Sequence, residues 1–239
     1  MQILNCRIDK VNMQSTLDFI ARAIPGDSCQ QIITLNAEGI YLAQEDAAFR
    51  NIINTAALVT ADGSGVLWAA KQLGSPLPER VTGIDLLQAA CKHAANQGWR
   101  IYLLGAAPGV AEQAAAKLQE SYAGLQIVGI DHGYFRGQEA ALISKINTAK
   151  PDLLIVALGM PMQEKFIHTH LAELKTAIAI GVGGSFDVVA GNIKRAPRLL
   201  QRLRLEWLWR VILQPSRLPR ILVLPKFMLL VKKQARNHK

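Results

Sequence analysis

Asp62 stands in the run Ala61-Asp62-Gly63-Ser64-Gly65, a carboxylate between an apolar segment and two nearby glycines. Glycine lets the backbone turn tightly and approach a ligand closely, and a carboxylate held there can take a proton from an attacking hydroxyl. The same residue can instead cap a helix that starts near Ser64, and the spacing leaves both roles open. Thr34 and Asn36, at the end of an apolar run, are likewise either ligand hydrogen bonders or turn formers. The stretch Gly181-Val182-Gly183-Gly184-Ser185 reads as backbone N–H groups turned toward an anion, or as a tight turn with close strand and helix packing.

Other chemistries find less support. Gly105 to Gly109 looks like a phosphate-binding turn, but it is not G-x-G-x-x-G and no acidic residue completes a dinucleotide fingerprint after it. No G-x-x-x-x-G-K-[ST] occurs either. There is no Asp-x-Asp pair to hold a divalent ion against a diphosphate, and His168 and His170, two apart, do not share a helix face. Cys6, Cys29 and Cys91 show no C-x-x-C spacing, which argues against a thiolate metal cluster or a disulfide framework. The expectation is no metal and no cofactor. A diphosphate would then need arginines for its positive charge.

The elements that must position these residues are legible as short apolar runs at Ile32–Leu35, Ala57–Thr60, Ile101–Leu104, Gln126–Ile130, Leu153–Leu158 and Ala177–Val182. Each is bounded by Gly, Asn or Asp and fits a buried strand. Segments of helical spacing lie between them, at Leu67–Leu73, Leu86–Ala95, Val110–Tyr122, Ala140–Ala149 and Pro161–Leu174. Such alternation predicts an α/β fold, a Rossmann-like, mostly parallel sheet flanked by helices. Ligands of such sheets sit beyond the carboxyl ends of the strands, so the five polar or Gly-rich loops there should converge on one cleft.

With 239 residues, 50% apolar and 19% charged, the chain can bury a full core. Its N-terminus lacks the basic head and apolar core of a signal peptide, so a cytosolic protein is expected. The net charge of +9 is unevenly spread: from Lys194 onward thirteen bases face one acid, Glu206, while the preceding body is mildly acidic. We therefore divide the chain into a core, 1–194, and a basic C-terminal appendage, 195–239. Arg195, Arg198 and Arg202 are spaced for one helical face, and Leu199, Leu203, Trp207, Trp209, Ile212 and Leu213 add apolar surface. The mixture reads as an element lying on an anionic membrane. It is too short in apolar run to cross one: Ile221–Val231 is 11 residues and contains Pro225 and Lys226. A basic helix packed on the body is the plainer reading. Nucleic acid is a weaker rival because no reader module is present, and a non-catalytic nucleotide- or RNA-binding protein with a basic arm is the alternative from another class.

Taken in order, Thr34-Leu35-Asn36-Ala37-Glu38, Ala61-Asp62-Gly63-Ser64-Gly65, Glu79-Arg80-Val81-Thr82-Gly83-Ile84-Asp85, Gly159-Met160-Pro161-Met162-Gln163-Glu164, Gly181 to Asp187, Lys194-Arg195-Ala196-Pro197, and Leu205-Glu206-Trp207 with Arg210 make a set that resembles the WecG/TagA/CpsF glycosyltransferase family. The chain looks most similar to its TagA-type branch. The resemblance implies an inverting, metal-independent transfer of N-acetylmannosamine, or a related sugar, from a UDP donor to undecaprenyl-diphosphate-linked N-acetylglucosamine, in wall teichoic acid or surface polysaccharide synthesis. It implies a peripheral location on the inner face of a bacterial membrane and leaves room for a homo-oligomer. By the same resemblance the base falls on Asp62, and substrate-binding positions on Thr34, Asn36, Arg80 and Gln163. Gly183, Gly184 and Asp187 of the matching glycine stretch join the expected substrate-binding set, and Arg210, Arg217 and Arg220 are the arginines that an appendage would bring to the cleft. Two departures stand out: Arg204 where the family usually has Gly, and Phe166 where Trp is common.

Overall fold

The computed structural model describes residues 1–197, 200, 206–213 and 222–237. Arg198, Arg202, Arg204, Arg217 and Arg220 lie outside the described residues, and Arg210 is placed only as a member of its helix.

All six expected strands are present: β3 (Gln30–Leu35), β4 (Leu58–Ala61), β5 (Arg100–Gly105), β6 (Gln126–Asp131), β7 (Leu153–Ala157) and β8 (Ile178–Gly181). They follow a small antiparallel pair, β1 (Gln2–Ile3) and β2 (Cys6–Arg7). The six form one sheet in the order β4-β3-β8-β7-β5-β6, and every neighbouring pair is parallel. β3, β4, β7 and β8 are almost wholly buried, which is why they read as unbroken apolar runs rather than as alternating ones.

Helices cover both faces. One face carries α1 (Met13–Ala23), α5 (Gly83–Gln97), α6 (Val110–Ser121) and α9 (Ser185–Ala190), whose apolar sides meet Ile32, Ile101, Leu103, Ile155 and Ile180. The other carries α2 (Ala37–Glu45), α3 (Ala47–Thr55), α4 (Ser64–Gln72), α7 (Glu139–Ala149) and α8 (Met162–Thr169). Helix α2 therefore leaves β3 on one face while α9 leaves β8, its neighbour in the sheet, on the other. Adjacent strands whose connections diverge in this way open a crevice at their carboxyl ends.

The C-terminal stretch contributes two further described helices, α10 (Glu206–Leu213) and α11 (Val223–Asn237). Helix α11 packs against α2 and α4, with Phe227 and Val231, four residues apart and so on one helix face, fully buried among Ile40, Val66 and Ala69. The Leu4 N–H donates to Gln234 Oε1 at 2.9 Å, fastening the end of the chain to its beginning. Part of the appendage is thus built into the core. Arg195, expected on a helical face, instead lies in an irregular segment, 2.6 Å from Asp85 Oδ1 at the start of α5. Pro197, two residues on, disfavours a continuing helix there.

Phe227→Ala should therefore destabilise the whole domain by about 3 kcal/mol or more, as a buried Phe truncation does elsewhere. Urea unfolding monitored by far-UV circular dichroism would check this; a near-neutral effect would mean that α11 is not part of the cooperative core.

Candidate active site

The strand register aligns the loops. Leu35 pairs with Ala61, so Asn36 and Asp62 leave their strands side by side, about 4.8 Å apart across the sheet. Ile33 pairs with Gly181, Gly181 with Val156, and Ala157 with Gly105, which brings Gly183, Leu158 and Ala106 level with Leu35. The Gly133 N–H donates to the Ala106 carbonyl at 2.8 Å and adds the loop after β6 to the row.

Asp62 is half-buried at this edge. Its N–H donates to the Leu35 carbonyl at 2.9 Å, and its Oδ2 accepts from the Gly83 N–H at 3.3 Å. Helix α4 is capped by Gly63, at φ +98°, with no side-chain cap bond. Of the two roles left open, capping α4 is therefore not the one Asp62 plays. Its carboxylate instead meets the first amide of α5, at the positive end of a helix of four turns. That approach depends on Gly83: a methyl group there would come within 3.1 Å of the Val182 Cα and carbonyl oxygen and 3.2 Å of Thr34 Oγ1.

Asn36 caps α2, its Oδ1 accepting the Gly39 N–H at 2.8 Å, and its amide nitrogen has no protein partner among the described residues. It can therefore donate to a ligand beside Asp62. Arg80, half-buried, precedes Val81, whose N–H donates to the Ala61 carbonyl at 2.9 Å, so this segment runs alongside the end of β4. Thr34 is only 4% exposed and its hydroxyl donates to the Gly181 carbonyl at 2.9 Å, tying β3 to β8 beneath the crevice.

Gln163 is also buried, and both ends of its amide meet protein. Oε1 accepts the Gly183 N–H at 2.9 Å and Nε2 donates to Glu164 Oε1 at 2.7 Å. One N–H of the glycine stretch is thus already engaged, and Gly183, at φ +56°, serves a tight turn into α9. Ser185 closes that turn by donating to the Val182 carbonyl at 2.6 Å. Gly184 and Asp187 are half-buried, and the Asp187 carboxylate has no protein partner among the described residues, which leaves it open to a ligand's hydroxyl or N–H donors. Asp62, Asn36, Arg80, Gly183, Gly184 and Asp187 thus sit along one edge, with Thr34 and Gln163 buried under it.

Two residues of this edge escaped the sequence reading. Tyr134, in the loop after β6, is 72% exposed, with His132 edge-on to its ring. The Gly133-Tyr134-Phe135 run after a strand was the available signal. Glu164 was quoted only as part of a motif. It is fully buried, its Oε2 has no partner among the described residues, and loss of hydration pushes its carboxyl up to about 7, against the stabilising bond from Gln163. The departure at Phe166 is filled by aromatic packing: its ring lies edge-on to Phe135 at 5.3 Å. Among the described residues, no three His, Cys, Asp or Glu side chains converge as metal ligands.

Fold and edge define an α/β protein of doubly wound type with a polar cleft at the carboxyl ends of its strands. The chain belongs to the WecG/TagA/CpsF glycosyl transferase family, whose model matches residues 1–239. It is 36% identical over 230 residues to the N-acetylglucosaminyldiphosphoundecaprenol N-acetyl-beta-D-mannosaminyltransferase of Bacillus subtilis, covering 95% of this chain and 89% of that one. It is 33% identical over 241 residues to the protein of the same name from Staphylococcus aureus, covering 100% and 94%. Membership sets aside the alternative of a non-catalytic binding protein.

Gly181→Ala tests how tightly the floor of the site is built. The added methyl would sit 2.5 Å from Gln163 Nε2, so Gln163 must shift and loosen its hold on Gly183. A loss of about 1–3 kcal/mol is expected, read by denaturant titration; unchanged stability would mean that Gln163 moves aside freely.

Proposed function

We propose that the protein transfers N-acetylmannosamine, or a closely related sugar, from a UDP donor to undecaprenyl-diphosphate-linked N-acetylglucosamine, with inversion and without a metal ion. The observation that carries this reading is the placement of Asp62, half-exposed at the strand ends, with the Asn36 amide nitrogen, which has no protein partner among the described residues, one strand away, in a chain whose relatives bear the name of that transfer.

In this mechanism the acceptor hydroxyl attacks the anomeric carbon from the face opposite the diphosphate. Asp62 takes the hydroxyl proton, the new C–O bond forms as the bond to UDP breaks, and UDP leaves with the electron pair. Asn36 orients a sugar hydroxyl beside the base. Asp187, Gly184 and the exposed ring of Tyr134 lie along the edge away from Asp62 and receive the nucleotide. Negative charge growing on the leaving diphosphate calls for cations that bind it best in the transition state. Arg80 flanks the edge. Arg210, Arg217 and Arg220 supply the rest from the C-terminal stretch.

The proposed location is supported by α11. No described helix is long and apolar enough to cross a membrane. The face of α11 opposite Phe227 and Val231 exposes Leu222, Met228 and Leu229 together with Lys226, Lys232, Lys233 and Arg236. We propose that this greasy, cationic stripe rests on the inner face of the bacterial membrane, where the lipid-linked acceptor is found.

Asp62→Asn should lower turnover by about 10²- to 10⁴-fold, the usual contribution of a general base, with unfolding midpoint little changed. Near-normal transfer by this variant would remove Asp62 as the base. The assay is radiolabelled transfer from a panel of UDP-sugars to a polyprenyl-diphosphate saccharide in excess EDTA, with product linkage read by NMR. Binding to vesicles containing anionic lipid should weaken as salt rises, and should fall further when Lys232 and Lys233 are both replaced by Glu. Binding that ignores both changes would refute the membrane stripe.

A further inference from the structure

Beneath the glycine stretch lies a line of buried polar side chains that the mechanism above does not use. Gln31, on β3, is 2% exposed; its Nε2 donates to the main-chain carbonyl of Glu164 at 3.0 Å. Glu164 Oε1 accepts from Gln163 Nε2, and Gln163 Oε1 in turn accepts from Gly183 N–H. The line therefore runs from β3 through α8 to the loop that begins α9.

Two acceptors in this line are orphaned: Glu164 Oε2 and Gln31 Oε1, on side chains whose residues already touch. Two buried acceptors cannot satisfy each other, and a buried polar atom left unpaired is costly. One proton on Glu164 Oε2 turns that acceptor into a donor, and Gln31 Oε1 is the other orphaned acceptor of the same line, able to receive it. We propose that Glu164 works as a neutral, protonated carboxyl and is a positioning residue, fixing the amide of Gln163 so that its oxygen holds the Gly183 N–H and shapes the floor of the cleft.

The orientation argument is a matter of donors and acceptors. A glutamine amide can be turned either way round. The side-chain Oε1 of Glu164 can only accept, so it takes the Gln163 Nε2–H, and that choice turns Gln163 Oε1 toward the Gly183 N–H. Without Glu164 the amide can reverse and set its N–H₂ against the Gly183 N–H, which repels. Burial of the carboxyl agrees with the neutral form, since desolvation raises it to about 7. Charged neighbours do not alter this. The elements packed most closely on α8 are α3, β3 and β8; β3 and β8 carry no titratable side chain, and α3 carries only Arg50, whose guanidinium donates to the Ala43 carbonyl at 2.9 Å. On α8 itself Lys165 is paired with Asp46 at 2.6 Å, and His168 is the other titratable group.

The inference rests on the proposed transfer for its catalytic reading, so the test has one arm that needs no substrate. Glu164→Gln has the shape of a protonated carboxyl, with an oxygen for Gln163 and an N–H₂ for Gln31. Folding of the wild type takes up a proton between the unfolded value near 4.5 and the folded value near 7. Its folding equilibrium should then fall relative to Glu164→Gln by about tenfold per pH unit across that window and run parallel above it. In the same samples the Gly183 amide resonance should titrate in the wild type and stand still in the variant. In the activity arm, Glu164→Gln should keep near-wild-type kcat/KM at pH 6 and lose less than the wild type above pH 7. Glu164→Ala, if folded, should lose kcat at every pH. A wild-type to Glu164→Gln folding ratio that is flat with pH, or a Gly183 amide that ignores pH in both proteins, overturns the proposal. Absence of transfer by the wild type from any UDP-sugar would instead sink the proposed function, and the folding and resonance measurements would still decide the proton on Glu164.

Discussion

Parallel strands can be joined only by crossovers that return the chain to the same starting edge, so every loop leaving a carboxyl end emerges on one side of the sheet. That constraint organises this molecule. The hydrogen-bonded registers bring Ala61, Leu35, Gly183, Leu158, Ala106 and Gly133 level, and Asp62, Asn36, Gly184 and Tyr134 each lie one residue beyond that row. Asp62 owes its position to a backbone bond with Leu35 and to the amide of Gly83.

The crevice opens because α2 and α9 leave neighbouring strands on opposite faces. Its floor must stay narrow while the backbone bends, and small residues allow this. Gly181 makes room for Gln163, and Gly83 lets α5 begin against Val182 and Thr34. Below the floor, Thr34 and Gln163 spend their hydrogen bonds on protein groups of β8, α8 and the glycine turn.

The sheet was largely legible in the sequence because fully buried strands leave unmistakable apolar runs, and the loops that follow them are where residues such as Asp62 and Asn36 stand out. Direction was not legible: nothing in the spacing tells whether Gln163 faces the cleft or the interior, since a single buried polar side chain has no period. That a basic helix packs on the body was one of the readings open, but which residues make the packed face was not legible, for a related reason. Pro225 reads as a break, yet it occupies the first turn, where its missing N–H is not needed, and Phe227 and Val231 alone mark the buried face among lysines. Arg195 was misplaced because its spacing to Arg198 and Arg202 suggested a helix, whereas its guanidinium is held by Asp85 near the start of α5.

Fastening both ends of the basic stretch has a kinetic meaning. Ala196 is buried at one end and α11 is packed between α2 and α4 at the other, so the arginines between them belong to a chain clamped twice to a single body. In the proposed transfer their encounter with the diphosphate is intramolecular, at an effective concentration set by the length of chain between the two anchors rather than by the amount of protein in the cell. A reader diluting the enzyme should find that this contribution does not dilute with it.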